Sequence, residues 1–229
     1  MRASTDEELI ARGGRVGQVA NFIALIMVFG GLLVSFTPWK AITVVLIALG
    51  VVMYTIGNRG IAQATREPRL IQQLVDTLGG FDDRYHLYNH ILPADHVLLT
   101  PHGLFVLVLR GVDGTIRCFK DKWVRDFSIR RMLRFFTEES LGNPTKDARR
   151  EVEKVGKYLE EHAPGSDVGV QGLILFLNPE ARLEVTETSV PVLPLRRLKS
   201  YLRKSSQESA VEPETMRALT AIFDEAPRL

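Results

Sequence analysis

The sequence predicts a mixed α/β domain that is preceded by two membrane-spanning helices. Near the N-terminus, two long apolar runs, 17–36 and 41–56, are separated by only a short link. After them, apolar strand-like segments alternate with amphipathic helix-like segments, an order that is typical of mixed α/β domains. The length of 229 residues is sufficient for such an anchor together with one globular domain.

Composition sets few further limits on function. The formal net charge is +2, from 29 basic and 27 acidic residues, so the overall charge does not point to a nucleic acid or any other acidic partner. The single cysteine, Cys118, excludes an internal disulfide and suits a reducing compartment. Any charged binding surface must therefore come from a local cluster of residues.

The two apolar runs predict a helical hairpin in a membrane. At 1.5 Å per residue, roughly 20 helical residues cross a bilayer core of about 30 Å, and the shorter second run spans if its ends reach the interface. The link 37–40 is so short that the helices must be antiparallel. Gly30, Gly31 and Gly50 would allow the backbones of the two helices to approach each other closely, and the hairpin as a whole is a candidate surface for self-association. A buried hairpin in a soluble protein is the alternative.

The arginines predict the orientation of the hairpin. They flank both of its outer ends, whereas the link holds only Lys40, which places both termini in the cytoplasm. The predicted organisation is a cytoplasmic segment 1–16, a hairpin 17–57, an α/β domain 63–204, and a linker with an amphipathic helix 205–229. The spacing of Thr5 and Glu8 predicts a short helix before the hairpin. Asn58-Arg59-Gly60 predicts the end of its second helix.

The remaining elements follow from periodicity and end signals. The runs 97–100 and 104–109 are apolar throughout, which is typical of strands buried on both faces. Asn143-Pro144 predicts a helix start that ends before Pro164-Gly165. Predicted strands cover 85–92, 97–100, 104–109, 115–119, 170–177 and 190–193, and predicted helices cover 70–78, 144–163, 195–202 and 212–224.

Several short motifs occur in one fixed order along this domain. They are Glu67 with Leu70 and Leu74, Asp95-His96-Val97, Pro101 to Val106, Gly114 with Ile116 and Trp123, Asn143-Pro144, Leu173 to Pro179, and Val190 to Leu193. In this order they resemble the nuclease-related domain, a branch of the restriction-endonuclease-like superfamily. The resemblance covers 66–202 and implies a restriction-endonuclease-like mixed sheet flanked by helices.

The resemblance also implies a site, which this sequence alters. Active members of the superfamily bind Mg²⁺ between an aspartate and a glutamate on successive strands, with a lysine two residues after the glutamate and a glutamate on the first helix. Here Glu67 and Asp95 persist, but Val108 stands at the strand glutamate and Arg110 at the lysine. Asp147 replaces a glutamine that is usual on the next helix. A degenerate site without a cofactor is expected, with Mg²⁺ only if Glu67 and Asp95 act with a displaced third ligand.

Each of these residues also has a structural interpretation. Glu67 is either a remnant ligand or an acidic residue in the first turn of a helix, and Asp95 either binds a metal or forms local hydrogen bonds. Arg110 either contacts a phosphate or, as we favour, forms an ion pair with Asp95 in the vacated site. Asp113 is either a migrated carboxylate or part of an Asp-Gly turn. No zinc site is predicted, although His86 and His90 share one face of a strand.

A basic segment with interleaved aromatic residues covers 120–136. It is interpreted as a nucleic-acid surface, a surface for anionic lipid, or a solvated basic face. The candidate binding residues are Lys120, Lys122, Arg125, Arg130, Arg131 and Arg134. The favoured function is therefore a membrane-anchored, catalytically degenerate nuclease-related domain with a binding or scaffolding role on the cytoplasmic face. The alternatives are an active metal-dependent nuclease and a membrane-surface interaction module.

Overall fold

The computed structural model describes residues 1–126, 139–166, 168–205 and 211–226. Within these ranges the chain forms two compact units. A helical unit contains residues 7–69, and a sheet unit contains residues 1–6, 70–126 and 139–226. The helical unit is therefore inserted, in sequence, between the first six residues and the rest of the sheet unit.

The helical unit is formed by helix α1 (Glu7–Val34) and by helix α2 (Lys40–Leu78), whose last residues belong to the sheet unit. Both helices are long and apolar enough to span a membrane. Many of their large apolar side chains, including Phe22, Leu33 and Val44, are exposed. The two predicted apolar helices are thus present.

The two helices contact each other through small residues. A Cβ on Gly57 would lie 2.7 Å from the carbonyl oxygen of Gly17, and a Cβ on Gly50 would lie 2.8 Å from Val28 Cγ2. The amide nitrogen of Asn21 donates to the amide oxygen of Asn58 over 3.3 Å. The close approaches at Gly50 and Gly57 are possible only because glycine has no side chain.

Two of the three glycines predicted to allow this approach lie at the contact. A Cβ on Gly31 would be 3.0 Å from Ile47 Cγ1, and Gly50 packs as described, but a Cβ on Gly30 would meet nothing within 4 Å. The prediction for Gly30 is therefore wrong. Gly17 and Gly57, which pack most closely, were not predicted.

Two predicted helix ends are wrong. A helix does start within the segment from Thr5 to Glu8, since α1 begins at Glu7 directly after β1, but it continues through the first apolar run instead of being short. Asn58-Arg59-Gly60 does not end the second helix, since α2 continues to Leu78 with Pro68 inside it. Gly60 packs against α1, where its Cβ would be 3.5 Å from the Cα of Gly17. The glycine is explained by helix contact rather than by a stop signal.

The larger sheet has six strands, which are β1 (Arg2–Thr5), β2 (His86–Asn89), β3 (His96–Thr100), β4 (Gly103–Arg110), β7 (Val170–Phe176) and β9 (Val192–Pro194). They lie in the order β1-β2-β3-β4-β7-β9. Strands β2, β3 and β4 form an antiparallel meander, whereas β1 is parallel to β2, β7 to β4, and β9 to β7.

A second sheet has three strands, β5 (Gly114–Phe119), β6 (Lys122–Arg125) and β8 (Ala181–Thr186), in the order β6-β5-β8. β5 and β6 form a hairpin, and β8 runs parallel to β5. The turn residues Lys120 and Asp121 both have positive φ angles.

Helices cover both faces of the larger sheet. One face packs on the end of α2 and on α4 (Leu198–Ser205), and the other packs on α3 (Pro144–His162) and α5 (Pro213–Asp224). A 3₁₀ turn, Leu195–Arg197, precedes α4. As predicted, α3 begins with Asn143 as its N-cap, whose side chain accepts a hydrogen bond from the backbone N–H of Lys146 at 3.0 Å. The mixed α/β class is thus confirmed.

Candidate functional site

The candidate site lies at the end of β4. Alternate residues of this strand face the same side of the sheet, so Val106, Val108 and Arg110 point towards α3 while Phe105, Leu107 and Leu109 point the other way. Val97 on β3 pairs with Val106. Asp95 directly precedes β3, and Val108 lies two residues after Val106, beyond the last paired residues of the β3–β4 ladder.

Val108 is part of an apolar cluster. Its side chain is only 6% exposed. The position at which the resemblance implies a metal-binding carboxylate is therefore occupied by a packed hydrocarbon. The other buried members of this cluster are Val112, Ile116, Leu141, Ala148, Ile174, Phe176 and Val190.

Arg110 is held by polar groups around the end of β4. Its guanidinium forms an ion pair and hydrogen bond with the carboxylate of Asp147, and its Nε lies 4.0 Å from Glu139 Oε1. It also donates to the backbone carbonyls of Leu141 (3.3 Å) and Leu109 (3.0 Å). With 16% of the side chain exposed, the guanidinium is mostly enclosed by its own protein partners.

The predicted ion pair between Arg110 and Asp95 is not formed. Among the residues that the structure describes, the ion-pair partners of Arg110 are Asp147 and Glu139. Asp95 is 67% exposed, and its Oδ1 lies 3.7 Å from His90 Nδ1. The reason is the start of α3, because Asn143 and Pro144 begin that helix where its first turn places Asp147 beside Arg110.

Two other carboxylates near the end of β4 are also engaged. Glu139 accepts a hydrogen bond from the backbone N–H of Gly111 over 2.9 Å. Asp113 forms an ion pair with Arg125, whose Nε also donates to the Asp113 carbonyl. The nearby acids within this described region thus serve as partners for arginines and backbone groups.

Glu67 lies far inside α2, which begins at Lys40. The interpretation of Glu67 as an acidic residue in the first turn of a helix is therefore wrong. Pro68 follows it directly and has no N–H to donate within the helix. Glu67 belongs to the helical unit and Asp95 to the sheet unit.

Two buried histidines lie at the β2–β3 connection. His90 and His96 are 8% and 3% exposed, and their ring centroids are 5.2 Å apart at an interplanar angle of 66°. Sequence reasoning considered His90 with His86 instead, but the ring of His86 stacks near Tyr88. Burial lowers the pKa of His86, and the charge of Arg2 acts in the same direction.

The basic segment is described only in part. Lys120 lies 3.9 Å from Glu187 and sits over the Phe119 ring, and Lys122 is exposed. Arg125, with 13% of its side chain exposed, forms the pair with Asp113. The other candidate binding residues, Arg130, Arg131 and Arg134, lie outside the described residues.

The β5–β6 turn is held by charge-assisted hydrogen bonds. Asp121 accepts from the backbone N–H of Ser189 at 3.0 Å and from the Arg149 guanidinium at 2.9 Å. The Ser189 N–H is the main cause of a lowered pKa of the Asp121 carboxyl, to which Arg149 adds. Trp123 in β6 donates to the Thr145 hydroxyl over 2.8 Å, which ties the second sheet to α3.

One family model matches part of the chain. Residues 64–177 match the family model of the nuclease-related domain. The matched segment includes Glu67, Asp95, Val108 and Arg110. No curated protein and no solved structure matches the chain.

Proposed function

We propose that this protein is a membrane-anchored nuclease-related protein whose domain does not cleave nucleic acid and has a binding or scaffolding role at the cytoplasmic face of the membrane. The observation that carries the proposal is the packing of Val108 inside an apolar cluster. The restriction-endonuclease-like fold that the resemblance implies is part of the same proposal.

The residues at the end of β4 do not fit a Mg²⁺ ion. Mg²⁺ requires oxygen ligands in near-octahedral geometry, usually one or two carboxylates with bound waters. Val108 offers none, and Asp147 and Glu139 face the Arg110 guanidinium. The resemblance implies a lysine at position 110. Arginine cannot replace a lysine that gives up or accepts a proton, because a guanidinium stays protonated at any pH at which proteins function. A guanidinium now neutralises acids that would otherwise attract a cation.

The pairing of the strands before and after the hairpin supports the proposal that both ends of the hairpin lie on the same side of the membrane. β1 precedes α1 and β2 follows α2, yet the two strands pair over four residues, from Arg2↔His86 to Thr5↔Asn89. If α1 and α2 cross a bilayer, both outer ends of the hairpin must be on the same side for this pairing to form. Exposure of their apolar side chains favours lipid as their solvent. The arginines outside the hairpin favour the cytoplasmic side.

The proposed partners follow from the same features. Lys120 and Lys122 lie on the β5–β6 hairpin, where exposed ammonium groups suit phosphates of nucleic acid or of anionic lipid. Arg125 is less available for this role, because its guanidinium is held by both the carboxylate and the backbone carbonyl of Asp113. Self-association through the helical hairpin remains part of the proposal, since exposed apolar helix faces also suit a second copy.

A cleavage assay tests the proposal. The full chain in detergent micelles is incubated with single-stranded DNA, duplex DNA and RNA in millimolar Mg²⁺ or Mn²⁺, beside an Asp95→Ala variant purified identically. We expect no difference between the two proteins beyond the background of the preparation. Cleavage by the native chain that is lost in Asp95→Ala would contradict degeneracy. Binding of the same nucleic acids, measured by fluorescence anisotropy and compared with Lys122→Glu, tests the binding role.

A further inference from the structure

We infer that the outer face of the β5–β6 hairpin docks on an anionic lipid surface, with Phe119 and Val124 entering the headgroup region and Lys120 and Lys122 contacting lipid phosphates. The inference rests on the proposed membrane anchoring and adds a lipid contact made by the sheet unit. Because the anchor already attaches the chain to lipid, a weak contact is sufficient. The inference does not depend on whether the domain cleaves nucleic acid.

Two large apolar side chains of this hairpin are exposed to solvent. Phe119 is 55% exposed and Val124 is 58% exposed. In the part of the sheet unit that the structure describes, these two are the exposed large apolar side chains, and the others on the chain belong to the helical unit. Single exposed apolar residues are common on proteins, but two neighbours on one strand pair form an apolar patch.

Strand alternation fixes both side chains on the outer face of the second sheet. Ile116 and Cys118 of β5 are buried, so Phe119 points away from the core. Phe119 pairs directly with Lys122, and Val124 follows two residues later on the same face of β6. Neither apolar side chain turns inward without a shift of register, which would expose the buried residues of β5.

Two lysines surround the Phe119 ring. Lys122 lies opposite Phe119 in the ladder, and Lys120 Nζ is 5.2 Å from the centroid of the ring. Lys120 also lies 3.9 Å from Glu187, but both side chains are exposed and such a pair is weak. Long ammonium side chains reach lipid phosphates while a neighbouring apolar side chain lies deeper in the interface.

The turn that joins the two strands is held in place. The Asp121 carboxylate accepts from the Ser189 N–H and from Arg149, and its backbone carbonyl accepts from the Asn143 side-chain amide over 3.3 Å. Positive φ angles at Lys120 and Asp121 are typical of a tight hairpin turn. A fixed turn presents its side chains without the entropy cost of ordering a loop, so a small patch is sufficient for docking.

An anionic lipid surface fits this face better than a strand of nucleic acid. Binding of single-stranded nucleic acid combines a continuous basic groove with stacking rings. Arg117, which lies directly opposite Val124, is already paired with Asp126 and Glu184. An ammonium group already lies over the Phe119 ring, and Val124 offers no ring to a base. Apolar side chains flanked by ammonium groups instead suit a membrane interface.

The test places a fluorescent probe on this face of the full chain. Phe119→Trp in a Trp39→Phe background is reconstituted into vesicles of phosphatidylserine and phosphatidylcholine in equal parts, and the Trp39→Phe parent supplies the emission of Trp123 for subtraction. We expect the probe emission to shift to shorter wavelength and to lose most of its intensity when the lipids are brominated close to the headgroup. Both effects should be smaller in phosphatidylcholine alone. Lys122→Gln should lower the docked-to-undocked ratio about fivefold.

His162→Trp in the same background is the matched control. His162 is exposed at the end of α3, roughly 27 Å along that helix from the Asn143 cap that contacts the hairpin turn. We expect its emission to be quenched much less by brominated lipid. Val124→Trp is a second probe of the docking face, and it decides the result if near-UV circular dichroism shows that Phe119→Trp does not fold.

Carbonate extraction of the vesicles separates failure of the inference from failure of the proposed anchoring. If the chain stays in the vesicles but the Phe119→Trp and Val124→Trp emissions are quenched no more than that of His162→Trp, the inference is overturned and the anchoring stands. If carbonate releases the chain, the proposed anchoring fails and the inference fails with it. Quenching of these probes by a single-stranded oligonucleotide but not by brominated lipid would identify nucleic acid as the occupant and would also overturn the inference.

Discussion

Replacing Val108 by glutamate restores the carboxylate that the family resemblance implies, and the expected result is a loss of stability. Val108 is almost fully buried among apolar side chains. Val108→Ala serves as the reference, because it removes two methyl groups and leaves a cavity, at a cost of about 2 kcal/mol in the free energy of unfolding.

The glutamate adds the cost of burying an acid. Remaining neutral at pH 7 requires its pKa to rise by about three units above the usual 4.3, which corresponds to roughly 4 kcal/mol. Arg110 lies on the same face but is already paired with Asp147, so it offsets little of this cost. The expected total of roughly 4–6 kcal/mol is comparable to the whole stability of many domains.

The assay is urea unfolding of the full chain in micelles, followed by Trp123 fluorescence. Trp123 packs against the same apolar cluster, and a Trp39→Phe background removes the chain's other tryptophan. The direction in which the stability loss of Val108→Glu changes with pH is a second readout. An acid whose folded pKa is raised loses stability as pH rises above its unfolded value, so Val108→Glu should be less damaging at pH 5 than at pH 8, whereas Val108→Ala should not change.

The reasoning would be refuted by a Val108→Glu variant within about 1 kcal/mol of the native chain at pH 7. It would also be refuted if millimolar Mn²⁺ restored most of the lost stability, because the restored acid would then be acting as a ligand in an intact metal site.

Three further predictions test contacts elsewhere. Gly57→Val should lower the melting temperature of the full chain in micelles by several degrees, because its side chain meets the α1 backbone, whereas Gly30→Val, with open space, should not. A double-mutant cycle of Arg110→Ala and Asp147→Ala should give a coupling of about 1–2 kcal/mol in urea unfolding, reduced from a fully buried pair by partial exposure, and a value near zero would show that the pair is unimportant. Because burial lowers the pKa of His86, its unfolded form takes up a proton first, so stability should fall as pH falls below about 6.5, and His86→Gln should flatten that dependence in pH-dependent melting.

The sequence predicted the elements whose signals are local. The apolar strands β3, β4 and β7 and the Asn143 cap of α3 all lie where expected, since burial on both faces and an N-cap are encoded by neighbouring residues. Strands β1, β6 and β8 were not predicted. None of their residues is fully buried, so their pairing depends on partners distant in sequence rather than on a run of buried apolar residues.

The sequence predicted which residues of the candidate site share one face of a strand, but not which side chains contact each other. Strand spacing correctly places Val108 and Arg110 on one face of β4, because alternation is a property of any strand. The prediction that Arg110 pairs with Asp95 was wrong. Its partner Asp147 is 37 residues away in sequence and reaches it only through the placement of α3. His90 and His96 were missed for a similar reason, because only the Asn89↔His96 register makes them neighbours.

The first strand has a practical consequence for work with shortened versions of the protein. A soluble version that starts after the helical pair would lack β1 and so leave the outer backbone groups of β2 without their partners. Unpaired strand edges of this kind recruit other chains, and such a fragment should aggregate unless residues 1–6 are joined back through a flexible linker. Insolubility of such a fragment would arise from the missing four-residue strand and not from the hydrophobic helices, which the fragment lacks.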